Sequence, residues 1–300
     1  MGIGEKGKGL IFIISQPRSG STLLQRILGG HPAIHTTQET WLMIPALLGL
    51  TCRWLSQEGR EALAARNNIK QLLNTFPNGE DVYLEGVRLM CKHIYSHALG
   101  EAEKHYFIDK TPRYSYFIPD LYKVFPEAHY IILLRNPLSV LCSIIKRWTK
   151  HDMHVFSTVK DDLDIVPRLL IQWQKLLGEK AISVKYEKLA YDPEFEIKRI
   201  CSILGIEYLP EMLEYGENDL PHWNFGDDSV YQYSRPSIER VNDWISDIKD
   251  PFIWRLAHSY LARLGKDTVY NLGYSFEELD QTLKKNKPNG LALLLAKLAG

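Results

Sequence analysis

The sequence predicts an α/β fold in which a parallel sheet carries helices on both faces. Two observations predict it. Four short apolar runs rich in β-branched residues (LIFII at 10–14, HYFID at 105–109, HYIILL at 129–134 and AISVKY at 181–186) are bounded by turn residues, as strands buried on both faces are. Between them lie segments with apolar residues three and four apart, and strands alternating with such helices assemble into a parallel sheet. Ligands of these sheets bind beyond the carboxyl ends of the strands.

Each element has its own signal. Residues 1–9 are a Gly/Lys/Glu segment expected to be a flexible tail. The first strand breaks at SQPRSG, and STLLQRIL reads as a helix with Ser21 or Thr22 near its N-cap and Gly29-Gly30 at its end. Helical patterns such as EALAARNNIKQLLNTF and VYLEGVRLMCKHIYSHAL dominate residues 41–99, a helical insertion ahead of the second strand. That strand ends at Asp109, and Pro126 closes the helical stretch after it. The third strand stops at Arg135-Asn136-Pro137 and gives way to the helix LSVLCSIIKRW. After the fourth, Asp192 caps a helix with Pro193 at its first position. Residues 205–236 mix Gly, Pro, aromatics and acids, and read as a long loop or lid over the site. SIERVNDWISDI and PFIWRLAHSYLARLG are two further helices. One domain over 10–285 is expected, with 286–300 a helical tail or linker joined through Pro288-Asn289-Gly290, as in an excised domain.

Composition excludes several classes. The 300 residues are 45% hydrophobic and 24% charged, which is globular composition. Lys+Arg and Asp+Glu both number 36, so no global basic excess grips nucleic acid or an anionic membrane, and any anion site must be local. Four dispersed cysteines without a C-x-x-C pair make neither a disulfide framework nor a Cys-type zinc site, and suit a reducing compartment. No apolar run approaches the ~18 residues of a spanning helix. Leu10 to Ile14 is too short for a signal core, and no glycosylation sequon occurs. A cytoplasmic chain with no membrane or nucleic-acid partner is expected.

Some motifs are decoys. Gly2 to Gly7 matches G-x-G-x-x-G but precedes the first strand, where it cannot aim N–H groups at a phosphate from a strand-to-helix turn. His31/His35 and His93/His97 are spaced by four without an H-E-x-x-H, so surface or core histidines and no metal site are expected.

The informative loop is Gln16-Pro17-Arg18-Ser19-Gly20-Ser21-Thr22. Gly20 permits a tight turn, Ser21 and Thr22 offer hydroxyls, and the following helix presents unpaired N–H groups, which together make a P-loop-like anion cradle. Arg18 adds a permanent bidentate charge. Lys110 lies just past a strand end on the same rim. Arg135 follows the next strand, with Ser139 and Ser143 on one face of the emerging helix, a second anion site. Two phosphate-type sites on one rim suggest a nucleotide phosphorylated at two places. Each segment alone is also explained by helix caps and surface side chains.

IFIISQPRSGSTLLQRIL resembles the 5′-phosphosulfate loop of sulfotransferases that use 3′-phosphoadenosine 5′-phosphosulfate (PAPS). YIILLRNPLSVLCSI resembles their 3′-phosphate element, and VKYEKLAYDPEFEIKRICSILGI follows in family order. PRSGSTLL…HPAIHTTQETWLMIPALL is most similar to the tyrosylprotein and bacterial branches. The resemblance implies that Arg18, Ser19, Gly20, Ser21 and Thr22 bind the 5′-phosphate and Lys110 sits over the sulfonyl oxygens. It places Arg135 and Ser143 on the 3′-phosphate, with Tyr186 in the nucleotide site. Glu39 is then the general base, a role a carboxylate fills when desolvation raises its pKa, and His222 in the lid is the reserve. Two departures stand out. Pro112 replaces the His that follows Lys-Thr in the cytosolic branch, and YSRPSIERV stands where the late Arg-Lys-Gly contact is expected.

No metal is implied. The acceptor is a hydroxyl, in one reading the β-hydroxyl of an acyl chain on an acyl carrier protein, by similarity to polyketide synthase sulfotransferase domains. In the other it is a free alcohol or phenol. Trp41, Trp54, Phe76 and Tyr83 are candidates to line its channel. A P-loop kinase, which lacks the required Lys here, and a non-catalytic nucleotide scaffold are the competing classes.

Overall fold

A computed structural model describes residues 2–50, 60–100, 104–217 and 227–290 of the chain. Five parallel strands form one sheet in the order β2-β3-β1-β4-β5: β1 (Leu10–Ser15), β2 (Ile34–Thr36), β3 (Tyr106–Lys110), β4 (His129–Leu134) and β5 (Ala181–Lys185). Helices fill the intervals between and after the strands. They are α1 (Ser21–Gly29) after β1 and, in the insertion, α2 (Met43–Leu48), α3 (Arg60–Leu73) and α4 (Gly79–Leu99). Then come α5 (Ile118–Val124), α6 (Pro137–Ile144) after β4, α7 (Met153–Thr158), α8 (Lys160–Asp164) and α9 (Val166–Leu177). The C-terminal half adds α10 (Tyr186–Tyr191), α11 (Pro193–Leu204), α12 (Asp243–Asp247), α13 (Pro251–Asn271) and α14 (Phe276–Lys285).

Strand alternation splits the core in two. Phe12, Ile14, Phe107 and Ile132 face one layer with α2, α4 and α5, whereas Ile11, Ile13, Ile108 and Ile131 face α1 and α11. Every residue of β1 is buried, so this strand sits at the centre and its loop emerges mid-rim. A third apolar cluster joins α6 to α12, α13 and α14 and fixes the helix that carries Ser139 and Ser143.

The differences from the sequence reading have physical causes. β2 is a three-residue edge strand with only Ile34 apolar, too short for a periodicity signal. β3 extends through Lys110, which is therefore the last strand residue and not past its end. Gly20, at φ 90°, is the N-cap of α1, in place of Ser21 or Thr22, which lie inside the helix. The helix read across 237–248 divides into a 3-10 turn (Ile238–Val241) and α12, breaking at Asn242, a residue type that favours caps over interiors. After α6 the chain passes into a π-helical turn (Ile145–Thr149) that carries Lys146, Arg147 and Trp148. Residues 2–9 carry turn hydrogen bonds, and Ile3 is buried against the first core layer. Among the described residues no helix is long and apolar enough to cross a membrane.

Candidate active site

The loop after β1 builds the centre of the site. Arg18 at φ 67° and Gly20 at φ 90° turn the chain sharply enough for α1 to aim its first N–H groups at the rim. A Cβ on Gly20 would lie 2.5 Å from the Tyr186 ring, so only glycine fits. Gly20→Ala is expected to cost roughly 1–3 kcal/mol in stability and to abolish nucleotide binding. Thermal unfolding with calorimetric titration checks this, and an unchanged midpoint with normal binding would contradict it.

Two cavities open on either side of this loop. The first, about 390 Å³, is lined by Arg18, Arg135, Ser139, Ser143, Tyr186 and Arg240 among others. Arg135 stacks 4.1 Å over the Tyr186 ring and donates to the Arg18 carbonyl at 3.1 Å and to the Arg240 carbonyl at 3.2 Å. These contacts hold the guanidinium in one orientation. Its Nε, and the Oγ atoms of Ser19 and Ser139, are buried and have no hydrogen-bond partner. Such unpaired groups beside the loop are unusual, because buried polar groups are generally hydrogen-bonded. Burial raises the Tyr186 phenol above its ordinary value, and the Arg135 and Arg240 cations pull it back. The cavity carries six basic side chains against three acidic ones, so its balance favours an anion.

The second cavity, about 210 Å³, is lined by Pro17, Thr22, Glu39, Trp41, Arg113 and Trp148 among others, and shares Arg18, Gly20 and Asp227 with the first. Lys110 is 1% exposed and donates to Glu39 Oε1 at 2.6 Å and Thr22 Oγ1 at 3.4 Å. The Trp41 indole N–H donates to Glu39 Oε2 at 3.2 Å, and Trp41 holds a left-handed φ of 55°, strained for a bulky residue. Arg113 at the cavity wall pairs with Asp162, whose carboxyl is pushed up to about 6 by burial against the pull of that cation.

The structure therefore gathers Arg18, Ser19, Gly20, Ser21, Thr22, Glu39, Lys110, Arg135, Ser143 and Tyr186 around one rim. Arg18 donates to Ser143 at 3.2 Å, although the resemblance assigns the two to different phosphates, and forms an ion pair with Asp227 at 3.0 Å. His222 and Trp54 lie outside the described residues. Of the other expected channel residues, Trp41 lines the second cavity, Phe76 is exposed, and Tyr83 donates to the Ala46 carbonyl. His31 is held by the Glu207 carbonyl and the Ala33 N–H, and the His93 and His97 rings pack on each other.

Sequence reasoning missed Lys146, Arg147, Trp148, Arg113, Asp227 and Arg240. The three- and four-residue spacing from Ser143 signals Lys146 and Arg147. Asp227 comes from an irregular segment and Arg240 from the short 3-10 turn Ile238–Val241, and neither carries such a signal.

A sequence family described as the Sulfotransferase family matches residues 11–210. The nodulation protein NoeE of Sinorhizobium fredii is 25% identical over 94% of this chain and 68% of its own length. A putative protein-tyrosine sulfotransferase of Caenorhabditis briggsae is 28% identical, over 86% of this chain and 89% of its own. Among solved structures, the sulfotransferase domain of the Synechococcus olefin synthase superposes with a TM-score of 0.55 at 25% identity, covering 79% of this chain and 87% of that one. The sulfotransferase domain from the curacin biosynthetic pathway shares the fold, with a TM-score of 0.54 at 21% identity over 79% and 90% of the two chains. The match begins one residue into β1 and runs past α11, so it takes in the loop, the lysine strand and the Arg135 helix, and this chain belongs to the sulfotransferase family, whose members draw on PAPS.

Proposed function

We propose that the first cavity holds PAPS and the second an acceptor hydroxyl, with sulfonyl transfer across Arg18 and Gly20 where the two meet. The meeting of the two cavities beside the Glu39–Lys110 pair carries this reading. Arg135, Ser139 and Ser143 bind the 3′-phosphate, and Tyr186 packs behind Arg135 in the same site. Arg18, Ser19, Ser21, Thr22 and the N–H groups of α1 bind the 5′-phosphate. The acceptor oxygen bonds to sulfur as the bond from sulfur to the phosphate oxygen breaks, and 3′,5′-ADP leaves. Glu39 takes the acceptor proton, and Lys110 moves its charge from Glu39 toward the sulfonyl and leaving oxygens.

Nucleotide selectivity tests the first half. Wild-type protein is expected to bind 3′,5′-ADP about 10- to 100-fold more tightly than AMP, because hydrogen bonds to charged groups contribute roughly 1.5–3 kcal/mol. Arg135→Ala should erase most of that difference. Equal calorimetric affinities in the wild type would sink the assignment.

For the acceptor, we favour the β-hydroxyl of an acyl chain presented by an acyl carrier protein. The likeness to the olefin synthase domain supports it. The second reading, a free alcohol or phenol, is supported by the flat walls of Trp41 and Trp148 and by the protein-tyrosine sulfotransferase relatives. A β-hydroxyacyl carrier protein and p-nitrophenol, each offered with PAPS, separate the two by mass spectrometry. Sulfonation of the phenol alone ends the carrier reading.

A further inference from the structure

Asp109, one residue before Lys110 on β3, is fully buried and accepts hydrogen bonds from four hydroxyls. Thr40 and Tyr95 donate to Oδ2 at 2.6 and 2.5 Å, Tyr114 to the same oxygen at 2.9 Å, and Thr111 to Oδ1 at 3.2 Å. A carboxylate placed this deep is costly, and apolar side chains of similar volume usually serve stability as well, so stability alone is a weak reason for it. Burial raises its carboxyl above the ordinary value while the four hydroxyls pull it back.

What the cluster holds is informative. Thr40 is the neighbour of Glu39, and Thr111 is the neighbour of Lys110. The Trp41 N–H reaches Thr111 Oγ1 at 3.4 Å, and the Met43 N–H donates to the Tyr114 hydroxyl at 3.2 Å. The segment from Glu39 to Met43 has no strand or helix of its own until α2 begins, so these bonds fix where it lies. Strand alternation turns Lys110 to the opposite face from Asp109, toward Thr22 and Glu39.

We infer that Asp109 is a positioning residue that, through the Thr40 hydroxyl, sets the Glu39 carboxylate against the Lys110 ammonium. The inference rests on Glu39 being the base. A misplacement of about 1 Å costs as much as 10²-fold in rate, and the Thr40–Asp109 bond is what prevents it.

The test compares Thr40→Val, Thr40→Ser, Tyr95→Phe and Glu39→Gln, with 3′,5′-ADP release in the presence of the carrier protein or p-nitrophenol as the readout. Thr40→Val keeps the shape and removes the hydroxyl, so kcat is expected to fall about 10- to 100-fold while the Kd for 3′,5′-ADP holds. Thr40→Ser should restore kcat to within about threefold of wild type. Tyr95→Phe removes a donor from the same carboxylate oxygen but leaves the Glu39 segment tied, so it should lower Tm with little change in kcat. Equal kcat losses in Thr40→Val and Tyr95→Phe would make the cluster merely structural and overturn the inference. Collapse in Glu39→Gln with none in Thr40→Val overturns the positioning role alone, whereas wild-type turnover in Glu39→Gln overturns the base assignment and this inference with it. A crystal structure of Thr40→Val with 3′,5′-ADP reads the same point without an acceptor. The Glu39–Lys110 pair, 2.6 Å apart in the wild type, should open, and an intact pair contradicts the inference.

Discussion

Glu39→Gln is expected to lower kcat by about 10²- to 10⁴-fold, the usual contribution of a positioned general base. Gln keeps the length and a carbonyl oxygen for the Lys110 ammonium, and its amide can still meet the second cavity, but it cannot accept a proton. The Kd for 3′,5′-ADP should therefore stay within about threefold of wild type, since Glu39 lines the second cavity and not the first. Stopped reactions for kcat and calorimetry for Kd make the comparison. Near-normal turnover would move the base elsewhere, and His222→Ala, if it abolished the chemical step, would place it in the segment before Asp227.

Lys110→Ala should produce a loss of similar size, about 10²- to 10³-fold in kcat, as removal of a preorganised charge at a developing oxyanion does. The lysine is buried at the end of β3 and is paired with Glu39 and Thr22, and in the proposed reading its charge turns to the leaving oxygens only as transfer proceeds. Transition-state stabilisation without ground-state binding lowers kcat and kcat/KM together. Arg18→Ala offers the contrast. Arg18 lines both cavities, so its loss should weaken 3′,5′-ADP binding and turnover alike. If Lys110→Ala weakened binding as much as turnover, the lysine would be a ground-state phosphate ligand instead.

Much of this arrangement is legible in the sequence because its signals are local. The LIFII run, the Gly20 turn and the STLLQRIL helix lie within a score of residues, and the structure places them as strand, loop and helix. Ser139 and Ser143 share one face of α6 and Arg135 sits just before its N-cap, so local spacing alone groups them. The rest depends on contacts between distant segments. Thr40 meets Asp109 across 69 residues, and Gln16 meets the Asp162 carbonyl across 146. No periodicity encodes such pairs. β2 escaped because an edge strand of three residues needs only one buried apolar side chain. Arg147 and Trp148 line different cavities from a π turn that the apolar pattern of LSVLCSIIKRW does not announce. Asp227 reaches Arg18 from an irregular segment whose composition says loop and nothing of where it lies.

In the proposed function the two cavities divide the donor and the acceptor of one sulfonyl transfer. Sulfur-labelled PAPS, incubated with the wild-type protein and a panel of protein, carbohydrate, lipid and carrier-bound hydroxyls without added divalent cation, tests it most directly. Label is expected in at least one acceptor, matched mole for mole by released 3′,5′-ADP. PAPS left intact across the panel, while ATP with Mg²⁺ phosphorylates one of the same acceptors, would contradict it.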